Sequence, residues 1–199
     1  MQKYWCIRFF KSINQHLGFD AGRVPDMSSL TQYIADDAHY REVVSRMAGV
    51  ERELWIGTAD VKDLYIKRGK EAVPLLELLA KLLERGVNVR LIHAKEPGAA
   101  FREDFDKYPI LASALERVLC PRVHFKLMIM DLKTAYIGSA NLTGAALGMK
   151  SPDRRNFEAG ILTTDPQLVS RAVEQFDAVW MGRPCQTCKR KQFCTDRIA

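Results

Sequence analysis

Residues 53–93 constrain the fold most tightly. Glu53 to Ala59 (ELWIGTA) is a short apolar run that reads as a buried strand. Val61 to Ile66 either prolongs it or forms a loop, and Lys67-Arg68-Gly69-Lys70 makes a basic turn. Val73 to Arg85 is a leucine-rich helix closed by Gly86. Val87 to His93 (VNVRLIH) alternates as a strand. A strand, a helix and a strand in that order imply parallel strands joined by a right-handed crossover.

The rest of the chain adds to one such sheet. Leu30, Tyr33, Ile34, Val43, Val44 and Met47 fall near helical spacing, so an amphipathic helix is expected over Ser28 to Ala48, ended by Gly49. Asp104 to Leu119 reads as a helix interrupted near Pro109. Arg122 to Asp131 (RVHFKLMIMD) is a strand with Val123, Phe125, Leu127 and Ile129 on one face, which puts His124 and Lys126 together on the other. Lys133 to Ile137 follows as a second strand after a turn at Asp131-Leu132, and Asn156 to Thr163 is another. Asp165 as N-cap with Pro166 behind it opens a helix running to about Met181. Mixed strands and helices imply an α/β sandwich around one sheet.

The chain has 199 residues, which fits one domain with a small appendage. We divide it into an N-terminal arm of unassigned role (1–25), a catalytic domain (26–182) and a basic tail rich in cysteine (183–199). Ordinary apolar and charged fractions, 47% and 27%, exclude a disordered chain. No apolar run reaches the roughly 20 residues of a membrane span. Arg8 and Lys11 interrupt the most apolar stretch of the start, so no secretory signal is read and a cytoplasmic location is expected. The net charge of +6 favours an anionic partner: nucleic acid, anionic lipid or a phosphorylated metabolite.

Chemistry concentrates between residues 124 and 158. A histidine and a lysine share a strand face, and Gly138-Ser139-Ala140-Asn141 follows the next strand. Imidazole is a nucleophile or proton carrier near neutral pH. Lysine offers a point charge for a phosphate oxygen. The Gly-Ser turn lets backbone N–H groups and a hydroxyl approach an oxyanion. Together these are the parts of a phosphoryl site that needs no metal.

The spacing HxK(x)4D(x)6GSxN, carried by His124, Lys126, Asp131, Gly138, Ser139 and Asn141, resembles the signature of the phospholipase D superfamily. Asn156-Phe157-Glu158 looks like that family's strand with a glutamate. The resemblance implies a phospholipase D-like sandwich: a mixed, mostly parallel sheet with helices on both faces. It implies that His124 attacks phosphorus to give a phosphohistidine. Lys126 and Asn141 would bind the non-bridging oxygens, with Ser139 as a further donor. Glu158 would take the far ring N–H of His124, and Asp131 would support the fold beside the site. The chemistry calls for two histidines and this chain has one such motif, so a homodimer with a composite site is expected. His93 reads as structural. Lys150, Arg154 and Arg155, with Lys67, Arg68 and Lys70, are candidates for tracking a phosphodiester backbone.

Cys185-x2-Cys188-x5-Cys194 ends the chain amid Lys189, Arg190 and Lys191. Clustered cations favour thiolates. A fourth ligand is needed for a tetrahedral site, with Cys120 first and Cys6 second. The spacing is similar to the iron–sulfur staple of RecB-type nucleases, and thiolates suit [4Fe–4S] or zinc. Any metal would be structural, and catalysis would use no cofactor. The expected activity is phosphodiester cleavage, foremost by a nuclease. A phospholipase or phosphatidyl transferase acting on lipid and a silent nucleic-acid-binding module are the alternatives.

Overall fold

The computed structural model describes residues 30–62, 64–68 and 71–194. The proposed arm (1–25), Cys6 and Lys70 lie outside the described residues.

Seven strands form the main sheet in the order β1-β9-β8-β7-β2-β5-β6. They are β1 (Thr31–Ala35), β2 (Glu53–Thr58), β5 (Asn88–His93), β6 (Glu116–Leu119), β7 (Lys126–Met130), β8 (Thr134–Gly138) and β9 (Ala159–Thr163). β3 (Tyr65–Arg68) and β4 (Glu71–Pro74) make a separate hairpin where a basic turn was expected. The helices are α1 (π-wound over His39–Val44, then α-helical over Ser45–Met47), α2 (Leu75–Glu84), α3 (Ala99–Asp106), α4 (Pro109–Ala114) and α5 (Pro166–Trp180).

The expected crossover is present: β2 and β5 are parallel and joined through α2. The sheet is mixed, but its parallel part is only β2-β5-β6; β7, β8, β9 and β1 continue it antiparallel. The parallel share is therefore smaller than expected. The short Asp131-Leu132 turn allows only an antiparallel return, and β7 meets β2 antiparallel as well.

β7 shows why the fold closes. Val123, Leu127 and Ile129 pack on one side with Trp55, Ile92, Ala135 and the buried face of α5. Met128 and Met130 pack on the other with the leucines of α2 and with Ile34, Val43 and Met47. Period-two alternation thus feeds two cores, one on each side of the sheet, and helices cover both faces. On the α5 side Phe176 is fully buried and stacks between Trp55 (5.1 Å) and Trp180 (6.0 Å). Arg90 lies over the same two tryptophans and pairs with Glu116 at 2.9 Å, which ties the edge strand to the core.

Two sequence expectations are corrected. Residues 31–35 are a strand and not the first turns of a helix. Asp36 takes a left-handed conformation (φ 47°) that separates β1 from α1. The apolar positions Ile34, Val43, Val44 and Met47 are buried as expected, but in two elements. The second helix also breaks sooner. α3 ends at Asp106, α4 begins at Pro109, and Glu116–Leu119 is β6, drawn into the sheet by the open edge of β5. The α5 start is as read: the Asp165 carboxylate accepts N–H bonds from Gln167 (2.9 Å) and Leu168 (3.0 Å).

Candidate active site

Register alone gathers the site. Gly57 of β2 lies opposite Leu127, so Thr58 reaches the level of Lys126. Lys126 lies opposite Gly138, and Gly138 opposite Gly160. The residues at or just past these four strand ends are Thr58 and Ala59, His124, Ser139 to Asn141, and Glu158.

His124 stands two residues before β7 and its side chain is exposed. Lys126 is only 8% exposed, and its position fixes its contacts. Its Nζ donates to the His124 carbonyl at 2.7 Å and lies 3.3 and 3.4 Å from Nδ1 and Nε2 of the ring. Burial holds the Lys126 pKa below the ordinary lysine value, against the opposing pull of the Glu158 charge.

The Asn141 carbonyl oxygen accepts from the Ala59 N–H at 3.2 Å and lies 3.3 Å from the Thr58 hydroxyl. That hydroxyl accepts from the Leu142 N–H (3.0 Å) and donates to the Asp60 carbonyl (2.9 Å). With its oxygen anchored, the Asn141 amide directs its NH2 donors elsewhere. Thr58 and Ala59 were not read as site residues. Their signal was positional: they end a parallel strand, where α/β folds place their ligand sites.

Glu158 is held by two side chains. Ser139 donates its hydroxyl to one carboxylate oxygen and Asn156 donates to the other at 3.1 Å. The Ser139 hydroxyl also accepts from the Ala159 N–H at 3.1 Å. Among the described contacts, Glu158 thus bonds Ser139 and Asn156, while those of the His124 side chain go to Lys126.

Gly138 is required by what passes beneath it. A Cβ there would stand 2.3 Å from the Tyr136 hydroxyl and 2.8 Å from the Ala159 carbonyl. The fully buried Tyr136 accepts the Ala140 N–H at 3.2 Å and so props the turn from below. Burial pushes its phenol up to about 12.

Asp131 sits at the far end of β7 from His124, with φ 53°. Its carboxylate accepts N–H bonds from Glu51 (3.1 Å), Arg52 (2.7 Å) and Glu53 (3.1 Å). Burial raises its pKa, but these three donors outweigh it and hold the carboxyl below its usual range.

Other expected residues are scattered. Lys150 and Arg154 are exposed. Arg155 is turned inward, bonding the Lys150 carbonyl at 2.5 Å and pairing with Asp37 at 3.7 Å. His93 is fully buried with Nδ1 2.7 Å from the Lys95 carbonyl. Phe157, beside Glu158, is 96% exposed. Cys120, Cys185, Cys188 and Cys194 are brought together around one hollow. The Arg190 backbone N–H and the Arg122 side chain hold the Cys188 thiol below its ordinary value.

Residues 45–180 match the family model described as cardiolipin synthase, PLD-like domain. The chain belongs to the phospholipase D-like family. No match is found among curated protein sequences. Solved structures of similar fold include NucT from Helicobacter pylori (TM-score 0.54, 16% identity, 74% of this chain and 92% of that one). Nuc from Salmonella typhimurium, a phospholipase D family member, is similar at TM-score 0.54 and 18% identity over 75% and 93% of the two chains. TrmBL2, an archaeal chromatin protein with a novel mode of DNA binding, is similar at TM-score 0.53 and 14% identity, over 89% of this chain and 60% of that one. These likenesses establish the phospholipase D-like sandwich. Among the described residues, no helix is long and apolar enough to cross a membrane.

Proposed function

We propose that this chain is a phosphodiesterase, foremost a nuclease, whose chemistry needs no metal and whose site is completed by a second copy of the chain. The observation that carries the reading is the exposed His124 imidazole held beside the buried Lys126 ammonium at the strand end shared with Asn141 and Ser139.

A ring nitrogen of His124 attacks phosphorus, and the bond to the leaving oxygen breaks as that oxygen takes a proton. The product is a phosphohistidine. Water then attacks the same phosphorus, loses a proton to the second imidazole, and releases His124. Lys126 and the Asn141 NH2 group stabilise the charge on the non-bridging oxygens in both steps. Among the described residues the other two histidines, His39 and His93, are fully buried. The proton carrier in this reading is therefore the partner's His124, supplied by an isologous dimer.

The net charge of +6 suits an anionic partner, and the exposed Phe157 ring beside Glu158, a surface on which a base stacks, supports nucleic acid among them. The DNA binding named for TrmBL2 accords with this. Cleavage of labelled DNA and RNA in excess EDTA tests it, wild type beside His124→Asn. Cleavage by wild type alone is expected. Turnover of short-chain phosphatidylcholine with intact oligonucleotides would overturn the nuclease reading and keep the phosphodiesterase. Salt-sensitive DNA binding without turnover of any substrate would overturn both.

A further inference from the structure

Four cysteines from distant parts of the chain meet on the α5 side of the sheet. Cys120 follows edge strand β6, its N–H bonded to the His93 carbonyl at 2.9 Å. Cys185, Cys188 and Cys194 belong to the turns after α5. All four are half-buried thiols and line one small hollow, open to solvent, together with Arg122, Arg190 and Lys191. Nothing in the proposed chemistry uses them.

A hydrophobic core does not account for this arrangement. Cys120 packs against the Trp55 and Phe176 core, but all four cysteines also face a hollow rimmed by three cations, where a core cysteine would meet only apolar side chains. Local turns aim the tail thiols inward: Cys188 N–H bonds the Cys185 carbonyl at 3.2 Å, and Cys194 N–H the Lys191 carbonyl at 3.1 Å. Arg122, Arg190 and Lys191 bring N–H donors to the same hollow. Donors of this kind offset the negative charge that several thiolates bring to one place.

A zinc ion and a cubane cluster ask different things of four thiolates. A zinc ion draws its sulfurs to about 2.3 Å from itself, so neighbouring sulfurs stand roughly 3.8 Å apart. Among the described residues, no group of three or more His, Cys, Asp or Glu side chains is placed to hold a single metal ion. A cubane cluster is different. Its four thiolates bind four separate iron corners, stand further apart and leave room between them. Four cysteines around a hollow match the second case.

We propose that Cys120, Cys185, Cys188 and Cys194 ligate a [4Fe–4S] cluster that fastens the tail to the segment leading into β7. The cluster is structural and takes no part in phosphodiester cleavage. It stands independently of the nuclease reading. Its consequence for the site is positional, because Cys120 lies four residues before His124 and the cluster anchors that connection.

The test is anaerobic purification of the full chain, with iron, acid-labile sulfide and zinc measured against protein. About four iron and four sulfide per chain, with broad visible absorbance, are expected. In Cys120→Ser, and separately in Cys194→Ser, iron is expected to fall to less than half of wild type, while Cys6→Ser keeps it. Equimolar zinc without sulfide would overturn the proposal, and so would metal-free wild type. Undiminished iron in both cysteine variants would overturn the ligand assignment. The wild-type measurement decides the point even where a variant fails to fold.

Discussion

Replacing Asp131 by alanine should weaken the fold and spare the chemistry. The carboxylate receives N–H bonds from Glu51, Arg52 and Glu53, where the chain enters β2. The first two donors are exposed and regain water, so each loss costs about 0.5 kcal/mol. The Glu53 donor is partly buried, and leaving it unpaired costs about 1 to 2 kcal/mol. Alanine at φ 53° adds about 1 kcal/mol that aspartate tolerates better. The total is about 3 to 4 kcal/mol, or a Tm lower by roughly 6 to 16 °C for a domain of this size. Thermal and urea melts would read it, with kcat measured well below the new Tm and expected within about threefold of wild type. An unchanged Tm with collapsed kcat would refute the reasoning and return Asp131 to the chemistry. The pH dependence gives a second check. A carboxyl held below its usual value stabilises fully above the unfolded pKa of about 3.8 and loses that contribution as pH falls through the folded value. The stability gap between wild type and Asp131→Asn should therefore close only in acid below pH 3.8.

Lys126 must be charged to bind phosphate oxygens, and burial lowers its pKa, so activity should fall on an alkaline limb below the ordinary lysine value of 10.5. Lys126→Arg should act more slowly but carry that limb to higher pH; an unmoved limb in the pH–rate profile would assign it elsewhere. Phe176→Ala empties the slot between Trp55 and Trp180 and should cost about 3 to 5 kcal/mol in denaturant melts. A loss under 1 kcal/mol would mean that the slot collapses. Mixing wild type with excess His124→Asn should depress activity below that of the wild-type subunits alone, because mixed dimers hold one imidazole. Activity that merely dilutes, or a competent monomer in sedimentation, would refute the shared site.

The sequence is most legible where local period and function coincide. Alternation over 123–129 placed Val123, Leu127 and Ile129 in one core and put His124 beside Lys126, and both hold. The crossover from β2 through α2 to β5 was equally plain, because a leucine face and a closing glycine are local signals. Edge strands were not legible. Tyr33 and Ile34 suit a helix face as well as a strand, and only pairing with β9, more than a hundred residues away, decides between them. β6 was lost for the same reason, since its partner β5 supplies its conformation. The motif named Ser139, Asn141 and Glu158, but the partner expected for Glu158, the His124 ring, is not the one its carboxylate holds among the described contacts. That Asn141 leans on Ala59, and Glu158 on Ser139 and Asn156, depends on strand ends coming level across the sheet.

The position of β7 explains why structural and chemical demands can be changed separately at this site. One of its faces ends in Leu127 and Ile129 over α5, the other in Met128 and Met130 over α2. Such a strand cannot slip by one residue without inverting both cores. Lys126 is therefore set by packing energy from both sides rather than by its own contacts, and His124 by its distance of two residues from Lys126. At the opposite end, the Asp131 carboxylate fastens β7 to the entry of β2, whose exit carries Thr58 and Ala59. A fault at Asp131 thus reaches the site only through the register of two strands, as loss of stability. A fault at His124 or Lys126 removes a reacting or charge-stabilising group while both cores stay packed, which is why kcat and Tm should part company between the two ends of one strand.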